Sequence, residues 1–184
     1  AQNLAMLRRV KQESPDRPVF NYLMTIYGHT PHILDPQKRP EIIQLLHDYH
    51  DDHLARSTNQ FYYRTQAIVD YVKQLVAMDN RSLFILVADH VPPLRNGPNT
   101  YRALQYLDNR EGSYLHNRIL IVQNGVPVHY PQLRDYDMPD VIQNYLTDGD
   151  HCRRQTCEYL LGDQRPGREA LLPAYMRLLA HASE

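Results

Sequence analysis

Apolar and polar residues recur along this chain with two different periods, and their order predicts where helix gives way to strand. Residues 1–13 place Leu4, Leu7 and Val10 at helical spacing before Ser14-Pro15 stops them. "PVFNYLMTIY" (18–27) is rich in β-forming residues and ends at Gly28, which predicts a buried strand. "PQKRPEIIQLLHDYHDDH" opens with turn residues and predicts a short helix from Pro40. Residues 57–78 give the strongest helical pattern, with Ile68, Val72, Leu75 and Val76 forming one apolar stripe. "SLFILVA" (82–88) is apolar without alternation, as in a strand covered on both faces. After a loop-rich stretch with short helical pieces (94–116), "NRILIVQNGVPVHY" reads as a third strand and a turn at Asn124-Gly125. "DYDMPDVIQNYL" starts a helix with Asp137 as its N-cap and Pro139 in the first turn, and 168–181 reads as a closing amphipathic helix.

Strand, helix, strand, loop, strand, helix predicts an α/β fold: a three-layer sandwich with a mainly parallel sheet and helices on both sides. The chain has 184 residues, 42% of them hydrophobic and 22% charged, with a formal net charge of -1. One domain with a real core is expected at this length. No basic excess points to nucleic acid, and no apolar run reaches the roughly 20 residues that span a bilayer. The opening "AQNLAMLRRV" has no signal-peptide pattern, and the start at Ala1 suggests a processed or excised piece. Two cysteines, Cys152 and Cys157, lie five positions apart in "CRRQTC", about 140° apart on an unbroken helix. A disulfide or two free thiols both stay open on that spacing.

In open parallel sheets the ligand crevice lies beyond the carboxyl ends of the strands. That rule singles out Gly28-His29-Thr30-Pro31-His32 and Asp89-His90. An ionised Asp and a neutral His are ligands suited to zinc or manganese. Adjacent residues leaving a strand diverge, so both reach one cation only where the backbone turns at once. Val91-Pro92-Pro93 supplies such a turn, because proline fixes φ and restricts the residue before it. His29 is then placed to hold an anionic substrate or protonate a leaving oxygen. Arg95, just past the prolines, is a candidate phosphate contact; generally, though, loop arginines face solvent. "HDYHDDH" (47–53) is a dense set of possible ligands, weighed against a solvated acidic helix end. Arg64 reads as a solvated surface residue.

"FNYLMTIYGHTPH" and the later "FILVADHVPPL" resemble the C-terminal half of the catalytic domain of sulfatase-like enzymes in the alkaline phosphatase superfamily. The resemblance is to the lipoteichoic acid synthase and phosphoethanolamine transferase branch, where turns of the type "NHTPF" precede a strand ending in "GDHLPPL" or "SDHG". It runs from about residue 17 to 147; the remainder, 148–184, is expected to be a C-terminal helical extension of one partial catalytic domain. The resemblance implies Asp89 and His90 as metal ligands, His29 as a catalytic and substrate-phosphate residue, and a zinc, manganese or magnesium ion. It implies transfer or hydrolysis of a phosphate ester, from a phospholipid-derived donor to an envelope glycan or lipid. It also implies a place outside the bacterial cytoplasmic membrane, attached through an N-terminal region not in this chain, and such a place fits a Cys152–Cys157 bridge. The family's nucleophile and a further acidic ligand lie upstream of these motifs, and no such element precedes residue 17. The 184 residues alone are therefore expected to be inactive. A degenerate, non-catalytic module and a true sulfatase are the alternatives.

Overall fold

The computed structural model describes residues 2–46, 51–92, 94, 98–105, 117–130, 133–165, 167, 173, 176, 177 and 180. The chain divides into two compact units, Ala1–Pro127 and Val128–Glu184. The first holds α1 (Gln2–Glu13), α2 (Asp52–Met78), β1 (Leu83–Val87), α3 (Pro98–Ala103) and β2 (Ile119–Gln123). A short strand β3 (Val126–Val128) runs into the second unit, which holds α4 (Met138–Leu146) and α5 (Asp150–Arg154).

The first unit is organised by the polar side chains of α2. Asp51 caps this 27-residue helix, its carboxylate accepting the Leu54 N–H at 2.9 Å. Along its length, side chains reach out to the irregular chain between Asn21 and Ile43. Tyr71 joins Asn21 and Asn3 in one hydrogen-bonded cluster. Arg64 donates to Tyr27 O, Gln60 bonds His32, and Tyr63 donates to Pro40 O at 2.6 Å. Asn59 closes the series. Its Oδ1 accepts the N–H groups of Ile42 and Ile43 at 2.7 and 2.9 Å, and its Nδ2 donates to Ile43 O and Ala55 O at 2.7 and 2.9 Å. The full capacity of the amide is used, and Asn59 is 0% exposed. The apolar stripe Ile68, Val72, Leu75 and Val76 is half-buried, as its spacing implies. Lys11 of α1 pairs with Asp79 at the end of α2 (2.6 Å).

This arrangement corrects the expected fold. The described strands form a three-stranded sheet in the order β1-β2-β3, and β1 pairs antiparallel with β2, Ile85 opposite Ile121. There is no mainly parallel sheet and no three-layer sandwich among the described residues. The predicted buried strand at 18–27 joins no sheet, and Phe20 and Ile26 are 83% and 81% exposed. Its anchors are side chains of α1 and α2. Composition cannot foresee this outcome, because β-forming residues make a strand only where a neighbouring strand pairs with them. The helix predicted from Pro40 does not form over the described residues 41–46, which are irregular, the N–H groups of Ile42 and Ile43 being taken by Asn59. The turn at Asn124-Gly125 does form, with φ of 52° and 78° as a two-residue hairpin requires.

The second unit closes around a buried ion pair. Asp137 precedes α4, but its carboxylate does not cap that helix. It accepts the Arg134 N–H at 2.6 Å and pairs with Arg165 at 2.5 Å, both side chains almost wholly buried. Burial alone would lower the Arg165 pKa, but the hydrogen bond and charge of Asp137, together with Tyr136, outweigh it and hold the guanidinium charged. Cys152 and Cys157 form a disulfide with 5.4 Å between their Cα atoms. The bridge is possible because α5 ends at Arg154 and Gln155 is extended, which removes the helical divergence. The closing helix expected at 168–181 lies mostly outside the described residues.

Three outcomes test this account. Asn59→Ala strands backbone groups of Ile42 and Ile43, so it is expected to destabilise the chain by roughly 2–3 kcal/mol in urea unfolding, with faster hydrogen exchange at Ile42 and Ile43. Arg165→Met leaves Asp137 buried and unpaired, for a loss of about 3–5 kcal/mol; adding Asp137→Leu is expected to recover much of it. The hydrogen bond from Lys11 holds the Asp79 pKa below its ordinary value against the opposing effect of burial. That stabilisation, about 0.5–1 kcal/mol, is complete above about pH 4 and lost as pH falls through the depressed folded pKa. The stability difference between wild type and Asp79→Asn, measured from pH 7 to pH 2, is expected to vanish at the acid end.

Candidate functional site

Two supports fix the corner that carries Asp89 and His90. On the strand side, Ala88 N–H donates to Arg118 O at 3.1 Å, extending the β1–β2 ladder, and the Asn117 amide donates to Asp89 O. On the exit side, Val91 packs on the cluster of Leu54, Leu94 and Tyr101, and the Tyr101 hydroxyl donates to Pro92 O.

The consequence is convergence of the two side chains. His90 Nε2 lies 3.5 Å from Asp89 Oδ2. Two ligands each about 2.1 Å from one ion at a tetrahedral angle stand about 3.4 Å apart, so the pair spans the gap a zinc-sized ion fills. The opposite ring nitrogen, Nδ1, lies 2.8 Å from Val91 O. With Nδ1 as the protonated nitrogen, Nε2 presents its lone pair towards Asp89, the carbonyl-held arrangement typical of metal-binding histidines. Both side chains are open to solvent, the Asp89 side chain at 96%. Among the described residues this corner offers two candidate ligands, one fewer than the three a catalytic zinc site uses.

The other candidates fare differently. His29 is exposed, and its Nδ1 bonds the adjacent Thr30 O at 2.8 Å. Among the described residues it shares no hydrogen bond or ion pair with Asp89 or His90. Arg95 lies outside the described residues, as do His47, Asp48 and His50 of "HDYHDDH". The described part of that motif starts a helix rather than ending one: Asp51 is the N-cap of α2. His53, in the first turn, stacks edge-on against His32 with centroids 4.8 Å apart. His32 Nε2 and His53 Nδ1 are both buried without a hydrogen-bond partner.

Arg64 is not the solvated residue its helical position suggested. Its Nη1 donates to Tyr27 O at 3.2 Å, and its guanidinium lies 4.3 Å over the Phe61 ring. Gly28, at φ +115°, lets it approach: a Cβ there would stand 2.6 Å from Nη1. No sequence signal marked it, because the contact joins residues far apart in the chain.

A second cluster, Asp140, His151 and Cys157, has ligand atoms within 4.8 Å of one another. The disulfide removes the Cys157 thiolate, and His151 Nε2 is bonded to Asp140 at 2.8 Å with Gln155 beside both. This cluster is a hydrogen-bonded brace between α4 and α5. A cleft of about 560 Å³ beside Lys11 and Asp79 contains none of the candidate residues. No helix among the described residues is long and apolar enough to cross a membrane. No family model, curated protein or solved structure matches the chain.

Proposed function

We propose that this chain carries part of a metal-dependent site of sulfatase-like type, acting on phosphate esters of envelope lipid or glycan by phosphoryl-group transfer or hydrolysis. The observation that carries the reading is the 3.5 Å convergence of Asp89 and His90, with the far side of the His90 ring 2.8 Å from Val91 O. A bound divalent ion, zinc, manganese or magnesium, polarises a phosphoryl oxygen and lowers the pKa of an attacking one. Within this chain, Asp89 contributes the negative charge that balances the ion and His90 a neutral nitrogen. His29, exposed at its turn, holds the ester or supplies the proton for the leaving oxygen. The Cys152–Cys157 disulfide supports a place outside the cytoplasmic membrane, where thiols are oxidised.

Among the described residues no third Cys, His, Asp or Glu joins Asp89 and His90. Zinc sites use three or four protein ligands, so the 184 residues hold an ion weakly and do not turn over by themselves. The same observation favours a second reading, a binding module that has lost the chemistry and no longer holds an ion. Calorimetric titration with zinc and manganese separates the two. Saturable binding of one equivalent, lost in both Asp89→Ala and His90→Ala, is expected. Binding that survives both substitutions removes the first reading, and no binding at all favours the second.

A further inference from the structure

The corner between α4 and α5 gathers four side chains that can ligate a metal, two of which are bonded to each other. Asp140 Oδ1, His151 Nε2 and Cys157 Sγ lie within 4.8 Å of one another, and among the described residues no other group of three such ligands converges. Cys152 Sγ, joined to Cys157 Sγ, stands beside them. The Asp140 and His151 side chains are 31% and 16% exposed, so water and ions reach the group from their side.

The disulfide is not the sole support of this corner. The Asn144 side chain accepts the Cys152 N–H at 3.1 Å, and the Thr147 hydroxyl accepts the His151 N–H at 2.9 Å, fixing the start of α5 against the end of α4. On the other side Cys157 is 3% exposed, and the nearby Tyr159 is buried edge-on against Tyr130. His151 Nε2 has two neighbours at 2.8 Å, the Asp140 carboxylate and the Gln155 amide nitrogen. One ring nitrogen cannot donate to the first and accept from the second. A cation between imidazole and carboxylate removes that conflict, because it draws on both lone pairs.

Tetrahedral zinc holds sulfur at about 2.3 Å and nitrogen or oxygen at about 2.0–2.2 Å, which sets its ligand atoms about 3.4–3.8 Å apart. The spread at this corner is about an ångström wider, a gap that side-chain rotation closes. Four residues separate the two cysteines, a spacing within the range of zinc loops.

We propose that reduction turns the oxidised chain's brace into a zinc site, with the Cys152 and Cys157 thiolates, His151 and Asp140 as its ligands. An external dithiol delivers two electrons to the Cys152–Cys157 bond and leaves as its own disulfide, its two protons passing to the cysteine sulfurs. Zinc displaces both protons as the metal–sulfur bonds form. A small disulfide reverses the sequence, taking the two electrons, closing the bridge and releasing the ion. This site is separate from Asp89 and His90 and does not rest on the phosphate-ester reading.

The test uses the full chain carrying Asp89→Ala and His90→Ala, so that the other candidate ligands contribute nothing. Zinc is titrated against a chromogenic chelator, first on the oxidised chain and then after reduction by a phosphine, which leaves zinc free. Cobalt(II) in place of zinc reports thiolate ligation through its charge-transfer absorption. The reduced chain is expected to take one equivalent about a hundredfold more tightly than the oxidised one, and His151→Gln and Asp140→Asn are each expected to weaken it about tenfold. Two thiols on an unfolded chain are indifferent to Asp140, so that variant distinguishes a built site from loose thiol binding. Cys152→Ser frees Cys157 without any reductant and is expected to bind zinc through the remaining three ligands, more weakly than the reduced chain. The proposal is overturned if reduction does not tighten zinc binding, if either Asp140→Asn or His151→Gln leaves the affinity unchanged, or if the cobalt form lacks the thiolate band.

Discussion

The first unit depends on one row of polar side chains along α2 satisfying a stretch of chain that has no sheet to join. Backbone N–H and C=O groups must be paired somewhere, and unpaired burial is costly. From Asn21 to Ile43 the described chain makes few backbone–backbone hydrogen bonds of its own. Arg64, Tyr63 and Asn59 supply partners to its backbone, while Tyr71 and Gln60 hold the side chains of Asn21 and His32. Asn59 matters most because its amide imitates a strand neighbour, donating and accepting at the same residue, Ile43. The His29 turn is therefore positioned by a helix, not by a sheet edge.

The Asp89–His90 corner is held by a different physics. A short antiparallel ladder ends at Ala88, and an apolar cluster begins at Val91. Two residues between rigid supports have little freedom, and this directs both side chains to one side. The price is solvent exposure: nothing among the described residues covers the Asp89 carboxylate. In water an exposed ion pair contributes little to stability, so the convergence has no evident structural benefit.

In the second unit, chemistry that looks like a ligand set turns out to be bracing. Asp137 serves Arg134 and Arg165 rather than α4, and Cys157 serves Cys152 rather than a metal. The partners differ in reach: Arg165 lies 28 positions from Asp137, whereas Cys152 lies five from Cys157.

Much local structure was legible in the residues alone. The 3.6-residue period marked α1 and the body of α2, and the Asn124-Gly125 pair marked the hairpin. These features are set by interactions within a few residues, which sequence spacing encodes. Strand pairing is not of that kind. Whether 18–27 would find a parallel neighbour, and which way β2 would run beside β1, depends on competition among surfaces distant along the chain. The burial of Arg64 against Gly28 and the choice of Asp137 for Arg165 were decided the same way. Sequence determined the pieces and their chemistry; tertiary structure decided their partners, because a side chain's best partner is fixed by distance in space.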